Sequence, residues 1–150
     1  DERTQILAGF IKPGARIIEF GAGNMSLKKF LPLYCTYTPS DIQKRSEDYL
    51  LCDLNKKIQL NLSAYDTVVF SGVLEYVYDI EDVFSQLAPF IKHVVISYVC
   101  TDVSNCNRLN EGWLSDYSKK DLKDIFTKHS YEVIDYREWR KQSLFKLRKQ

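Results

Sequence analysis

Glu19-Phe20-Gly21-Ala22-Gly23 follows a run of β-branched and apolar residues, where a strand would hand over to a helix. Gly21 and Gly23 let the backbone turn tightly and come close to a ligand, and the first N–H groups of a following helix offer a positive dipole end. Twenty residues past Gly21, beyond the second apolar run, Asp41 stands where it can accept hydrogen bonds from a ribose. The chemistry implied is the holding of a nucleoside-containing ligand. A dinucleotide is a weaker match. The G-x-G-x-x-G pattern needs a glycine where this chain has Ser26, and Glu19, two residues ahead of the loop, would repel a pyrophosphate but attract an ammonium.

The elements that must position these residues are readable from the apolar pattern. Arg16–Phe20, Tyr34–Thr38, Tyr49–Cys52, Thr67–Ser71 and His93–Val99 are short and rich in β-branched or aromatic side chains, and read as five strands. Polar or amphipathic stretches separate them, which implies strands alternating with helices around a parallel sheet. Ile80, Val83, Phe84, Leu87 and Ile91 form an apolar stripe at helical period behind Asp79, a candidate N-cap. Ser118 and Asp121 are spaced as a capping box for a helix running to about Lys128. Ile6, Leu7, Phe10 and Ile11 share one face of an opening helix that must stop at Pro13-Gly14. The crossovers 39–48 and 53–66 are barely long enough for helices and read as one-turn helices or loops. Tyr131–Trp139 and Ser143–Leu147 are two further strand-like runs with a short connection, which requires antiparallel pairing.

With 150 residues, no internal repeat and no Pro/Gly/Ser linker, residues 1–150 read as a single domain. The 21 Lys/Arg balance 20 Asp/Glu, so no global field draws the chain to nucleic acid or anionic lipid. The basic tail, Arg137, Arg140, Lys141, Lys146, Arg148 and Lys149, is interleaved with aromatics and reads as a solvated hairpin rather than a nucleic-acid surface. The apolar runs are too short to cross a bilayer, and Asp1–Gln5 shows no secretory signal. Cys35, Cys52, Cys100 and Cys106 match neither a metal knuckle nor a disulfide framework, and read as reduced thiols of a cytoplasmic protein. No His/Cys/Asp cluster has metal spacing. Cys35 and Cys52 fall in strand-like runs as small hydrophobes.

In this pattern the chain resembles the class I S-adenosylmethionine-dependent methyltransferases. Glu19-x-Gly21-x-Gly23 is similar to their first motif, Asp41 to their ribose-binding acid, and Cys52-Asp53-Leu54-Asn55 to the turn in which an acid meets the adenine amino group and the next residue packs on the ring. Tyr65–Val77 resembles their fourth strand and the loop passing the reactive methyl. The resemblance implies an α/β, Rossmann-like open sheet of seven strands in the order 3-2-1-4-5-7-6, five parallel plus a C-terminal antiparallel hairpin, with helices on both faces. It implies S-adenosylmethionine as cofactor, held by Glu19, Gly21, Ala22, Gly23, Asp41, Asp53, Leu54, Ser71 and Gly72. Met25 replaces a further glycine of the first motif, a change a helix would tolerate.

Methyl transfer from a sulfonium is an in-line displacement in which alignment matters most, and a base is optional. Glu75 and Tyr76, on the loop after the fourth strand, are the candidates to orient or deprotonate an acceptor. Asp66 reads as structural, and His93 and His129 lie away from the expected site. The long polar loop Thr101–Tyr117 should overhang it, with Trp113 and Tyr117 shaping an acceptor pocket. The acceptor, by oxygen or nitrogen, is expected to be a small molecule, sugar-like or attached to a macromolecule, with a second subunit or partner domain closing an open site. Two other readings stand beside this one: an accessory module that binds the cofactor without transfer, and a nicotinamide-dependent oxidoreductase.

Overall fold

The computed structural model describes residues 1–150. Helix α1 (Glu2–Gly9) leads into β1 (Arg16–Phe20), followed by a 3-10 turn at Ser26–Phe30, β2 (Thr36–Asp41) and β3 (Leu50–Leu51). After a second 3-10 turn (Leu62–Ala64) come β4 (Thr67–Ser71), a third turn (Leu74–Tyr76), α2 (Ile80–Leu87) and β5 (His93–Tyr98). Helix α3 (Lys119–Lys128) precedes the hairpin of β6 (Tyr131–Trp139) and β7 (Gln142–Lys149). The seven strands form one sheet in the order β3-β2-β1-β4-β5-β7-β6, as the resemblance implied. β1 to β5 run parallel, and β7 is antiparallel to both β5 and β6.

The central strands are apolar on both faces because both faces are covered. Ile17, Ile18, Val68, Val69, Phe70, Val94 and Ile96 have no exposed surface. On one face α2 and α3 pack an aromatic core, with Phe84 5.2 Å from Phe126 and Phe126 5.3 Å from Phe145, ring centre to ring centre. On the other, α1 and the Ser26–Phe30 turn cover Ile17, Val69, Val95 and Leu144. Asp79 caps α2, accepting from the Asp82 N–H at 3.0 Å, and Ser118 and Asp121 form the reciprocal capping box of α3. No helix is long and apolar enough to cross a membrane.

Several boundaries differ from expectation for local reasons. The second strand starts at Thr36, not Tyr34, because Tyr34 takes a left-handed conformation (φ 66°) and is 87% exposed. It then continues through Pro39 to Asp41. Pro39 is tolerated because the ladder to β3 begins only at Ser40. The third strand keeps two residues of the expected four. Helix α2 stops at Leu87: Ala88 keeps helical backbone, but Pro89 has no N–H to continue the ladder, although Ile91 still packs in the core. The terminal strand is longer than expected, at Gln142–Lys149. Cys35 and Cys52 flank strands rather than lie in them, and Cys100 is fully buried in the aromatic core, where burial pushes its thiol up to about 11.

The helix expected after the glycine loop is a single 3-10 turn. Pro32 closes it from the C-terminal side, and at its start Met25 is left-handed (φ 62°, ψ 34°), not helical. Met25 therefore takes the conformation that a glycine adopts freely, which for an L-residue costs about 1–2 kcal/mol. Met25→Gly is expected to stabilise the fold by up to about 1 kcal/mol after the extra unfolded-state entropy of glycine is subtracted. Met25→Ala should give no such gain. Urea unfolding of the two variants checks this, and equal midpoints would remove the strain argument.

Candidate functional site

The strand order reverses between β1 and β4, and in open α/β sheets that is where a crevice forms beyond the carboxyl ends. A cavity of about 540 Å³ occupies this place. Its floor is the backbone of Gly21 and Gly23 after β1 and of Gly72 and Val73 after β4. Gly21 is left-handed (φ 66°), and the Val73 side chain lies so close that a Cβ on Gly21 would stand 2.5 Å from Val73 Cγ2. The Gly72 N–H donates to Ser97 Oγ at 2.8 Å, which ties this loop to β5.

Asp41, at the end of β2, lines the cavity and holds the loop in shape. Its Oδ2 accepts from the Gly23 N–H at 2.9 Å and its Oδ1 from the Ile42 N–H at 2.7 Å. The Ala22 N–H donates to Ser40 O at 3.0 Å, and the Tyr49 hydroxyl donates to Gly23 O. Asp53 and Leu54 form the wall beyond β3. Asn55 closes that end: its Nδ2 donates to Tyr76 O and its Oδ1 accepts from the Tyr78 N–H, both at 2.9 Å. One amide thus joins the turn after β3 to the loop after β4.

Six of the expected cofactor residues meet at this cavity: Gly21, Gly23, Asp41, Asp53, Leu54 and Gly72. Glu19, Ala22 and Ser71 do not line it. Ala22 supports the loop through its amide, and Ser71 ends β4 beside Ser97. Glu19 is 4% exposed beneath the loop and accepts from the Tyr37 hydroxyl at 2.5 Å. Burial raises its carboxyl to about 7, against the lowering effects of the Tyr37 bond and the Arg3 charge.

Of the two catalytic candidates, Tyr76 lines the cavity and is 46% exposed, while Glu75 turns inward. Glu75 is 2% exposed, and its Oε2 accepts from the Val99 N–H at 2.8 Å, so it latches the loop after β4 to the end of β5. Burial raises its carboxyl above the ordinary range. Trp113 and Tyr117 line no part of the cavity. The reason is Arg108, which gathers the loop 101–117 by donating to Val99 O, Ser115 O and the Tyr98 hydroxyl, with Trp113 stacked on its guanidinium at 4.9 Å. Tyr117 packs edge-on against Tyr98, and its N–H donates to the Tyr98 hydroxyl at 3.2 Å.

Arg3 was invisible to sequence reasoning. From α1 it reaches the end of β4, where its guanidinium nitrogens lie 3.1–3.3 Å from the position of a Cβ on Gly72. Nη1 donates to Gln142 Oε1 at 3.1 Å, the buried Nε has no partner, and no carboxylate pairs with it, although Glu19 and Glu75 both feel its charge. A long-range placement of this kind leaves no local period to read. Asp66 proves structural, accepting from the Arg16 N–H at 3.0 Å.

No family model and no curated protein matches the chain. Solved structures do. A S-adenosylmethionine-dependent methyltransferase from Mesorhizobium loti is 14% identical, with 96% of each chain covered and a TM-score of 0.73. A structure described as the complex between the Haloferax volcanii Trm112 methyltransferase activator and a candidate methyltransferase matches over 97% of this chain and 87% of that one, at 9% identity and TM-score 0.77. The [4+2]-cyclase SpnF matches over 99% of this chain and 80% of that one, at 10% identity and TM-score 0.78. From its sheet order, its C-terminal hairpin and these likenesses, the chain has the class I S-adenosylmethionine-dependent methyltransferase fold.

Proposed function

We propose that this domain binds S-adenosylmethionine in the cavity at the β1/β4 switch point and transfers its methyl group to an oxygen or nitrogen acceptor. The observation that carries the reading is the joining, in one 540 Å³ cavity, of the glycine loop, the Asp41 carboxylate that braces it and the Asp53-Leu54-Asn55 turn. The size is that of a small-molecule site.

The residues present fit the group. Asp41 has lone pairs left for ribose hydroxyls, and Asp53 and Leu54 offer an acceptor and an apolar surface for adenine. Wall and floor carry more acid than base, which suits a ligand with an ammonium and a sulfonium. Glu19 faces the ammonium through the thin glycine floor. Arg3, whose Nη1 and Nη2 lie beside Gly72 and whose buried Nε has no partner, is the cation for the carboxylate. When bound, the donor supplies a methyl group on positively charged sulfur, which takes back the bonding electron pair as the methyl leaves. This chain's part is alignment: Gly72 and Val73 bring backbone close to the reacting end, and Tyr76 is the wall residue able to orient an acceptor hydroxyl or amine.

Calorimetric titration with S-adenosylmethionine and S-adenosylhomocysteine tests the reading. Asp41→Ala, which removes a charged hydrogen-bond acceptor worth about 1.5–3 kcal/mol, is expected to weaken both at least about tenfold. Arg3→Gln should weaken S-adenosylmethionine by a similar factor and leave adenosine, which has no carboxylate, unchanged. A folded wild-type protein that binds neither ligand would overturn the proposal. Release of S-adenosylhomocysteine with an acceptor panel then establishes transfer.

The second reading is a cofactor-binding module that transfers no methyl group. It is favoured by the inward turn of Glu75, which leaves no carboxylate or imidazole base at the reacting end of the cavity. A structure named as a cyclase on this fold supports keeping it. Ile42 and Tyr78, 69% and 66% exposed beside the cavity mouth, are apolar surface that a macromolecular acceptor or a covering partner would bury. A neighbour in complex with an activator supports the partner version.

A further inference from the structure

The opposite end of the sheet carries a second cavity, of about 150 Å³, with a different chemistry. The strand register sets its floor residues side by side: Thr67, His93 and Arg148 across β4, β5 and β7, then Val95 and Lys146 across β5 and β7. The chain after α1 roofs it with Phe10, Ile11 and Lys12. The basic residues of the terminal strand, read from sequence as outward and solvated, are thus partly turned into a pocket. No acid lines it.

Its cations are not all spoken for. Arg148 pairs with Glu132 at 2.7 Å, but Lys12 and Lys146 make no ion pair. His93 lines the cavity, and its Nε2 is buried without a partner. Burial first, and then the charges of Lys12, Lys92 and Lys146, hold its imidazole below the ordinary range, with Asp66 alone opposing. The local potential is therefore positive, on a chain whose net charge is only +1. Phe10, Ile11, Val95 and Ile134 give the same cavity an apolar wall. At about 30 Å³ per water, its volume holds about five waters, the scale of one small anion with a few carbons.

We propose that this cavity is a binding site for a small organic phosphate, its phosphoryl group between Lys12, Lys146 and His93 and its short apolar part against Phe10 and Ile134. The site lies at the amino ends of the strands, across the sheet from the donor cavity, and it is independent of the function proposed above.

The two histidines, His93 and His129, make nuclear magnetic resonance of the imidazole carbons a direct probe. Titration with inorganic phosphate and with n-butyl phosphate is expected to shift the His93 signal saturably and to leave His129 in place, with n-butyl phosphate the tighter of the two. Lys12→Gln and Lys146→Gln, both solvent-reaching side chains, should each weaken binding about tenfold. No saturable shift with either phosphate, or unchanged binding in both variants, would overturn the proposal. A shift produced by a single-stranded oligonucleotide and by neither small phosphate would also overturn it, in favour of a nucleic-acid surface.

Discussion

Gly21→Ala is expected to lower affinity for S-adenosylmethionine at least about a hundredfold and to destabilise the fold by about 2–3 kcal/mol. Two independent costs meet at this residue. Its φ of 66° is one an alanine adopts only at about 1–2 kcal/mol. A Cβ there would also stand 2.5 Å from Val73 Cγ2 and 2.8 Å from Val73 Cβ, closer than carbon atoms approach. Relief requires the loops after β1 and β4 to part, and these are the two halves of the cavity floor. Gly23→Ala separates the costs, because φ is 57° but nothing lies within 4 Å of the added carbon. It should lose only the conformational part of the stability, about 1 kcal/mol, so any further loss of donor affinity in this variant reports contact of the added carbon with the ligand itself. Removing the Val73 side chain in Gly21→Ala/Val73→Gly should recover part of the lost stability. Calorimetric titration with urea unfolding reads all three variants, and a Gly21→Ala protein that binds as wild type would refute the placement of the donor over this floor.

The contrast between the glycines shows what a sequence can and cannot carry. Gly21 and Gly23 are legible as a pair because the chemistry of a tight turn demands glycine at that spacing. Which of the two cannot accept a side chain depends on Val73, fifty-two positions after Gly21. The same division runs through the fold. β1, β4 and β5 are legible because strands buried on both faces must be apolar throughout, and Ile17, Val68 and Val94 have no alternative partner in water. β2 is half legible: Thr36-Tyr37-Thr38 belong to the run read as a strand, while Pro39-Ser40-Asp41 are extended through their pairing with β1 and β3. The helix expected after the glycine loop is missing: Pro32 limits it from the C-terminal side, and Met25 at its start is left-handed, a conformation that a lone methionine does not signal. At the site, Asp41 and Asp53 stand out as acids at strand ends. Arg3, Asn55 and Tyr49 act through polar contacts across 21 to 139 positions, and such contacts have no period. Glu75 was read correctly as a residue of the loop after β4 but not for direction, because the N–H it satisfies belongs to Val99.

Glu19 makes the unliganded protein lose stability as pH rises through the window in which its affinity for the donor increases. Its carboxyl, buried and bonded to Tyr37, is raised from 4.5 to about 7. Between those values the folded state keeps a proton that the unfolded chain has released, so the folded state binds more protons and stability falls with rising pH. The contribution is complete below about pH 4.5 and gone above about pH 7, a span of about 3 kcal/mol at 1.36 kcal/mol per unit. Glu75 is raised by burial and acts in the same direction, while His93, held below its ordinary range, acts in the opposite one. The difference between wild type and Glu19→Gln isolates the single group: the variant should be the more stable at pH 8 and no more stable at pH 4.5. Donor binding runs the other way. An ammonium above the loop favours the ionised carboxylate, so the affinity of wild type should rise from pH 5.5 to 7.5 and binding should release a proton, seen as a dependence of the heat on the buffer's ionisation enthalpy. Glu19→Gln should lose that dependence. Unfolding curves of wild type and variant that stay parallel from pH 5 to 8 would show that this carboxyl titrates normally, and the charge assigned to the floor of the site would then be wrong.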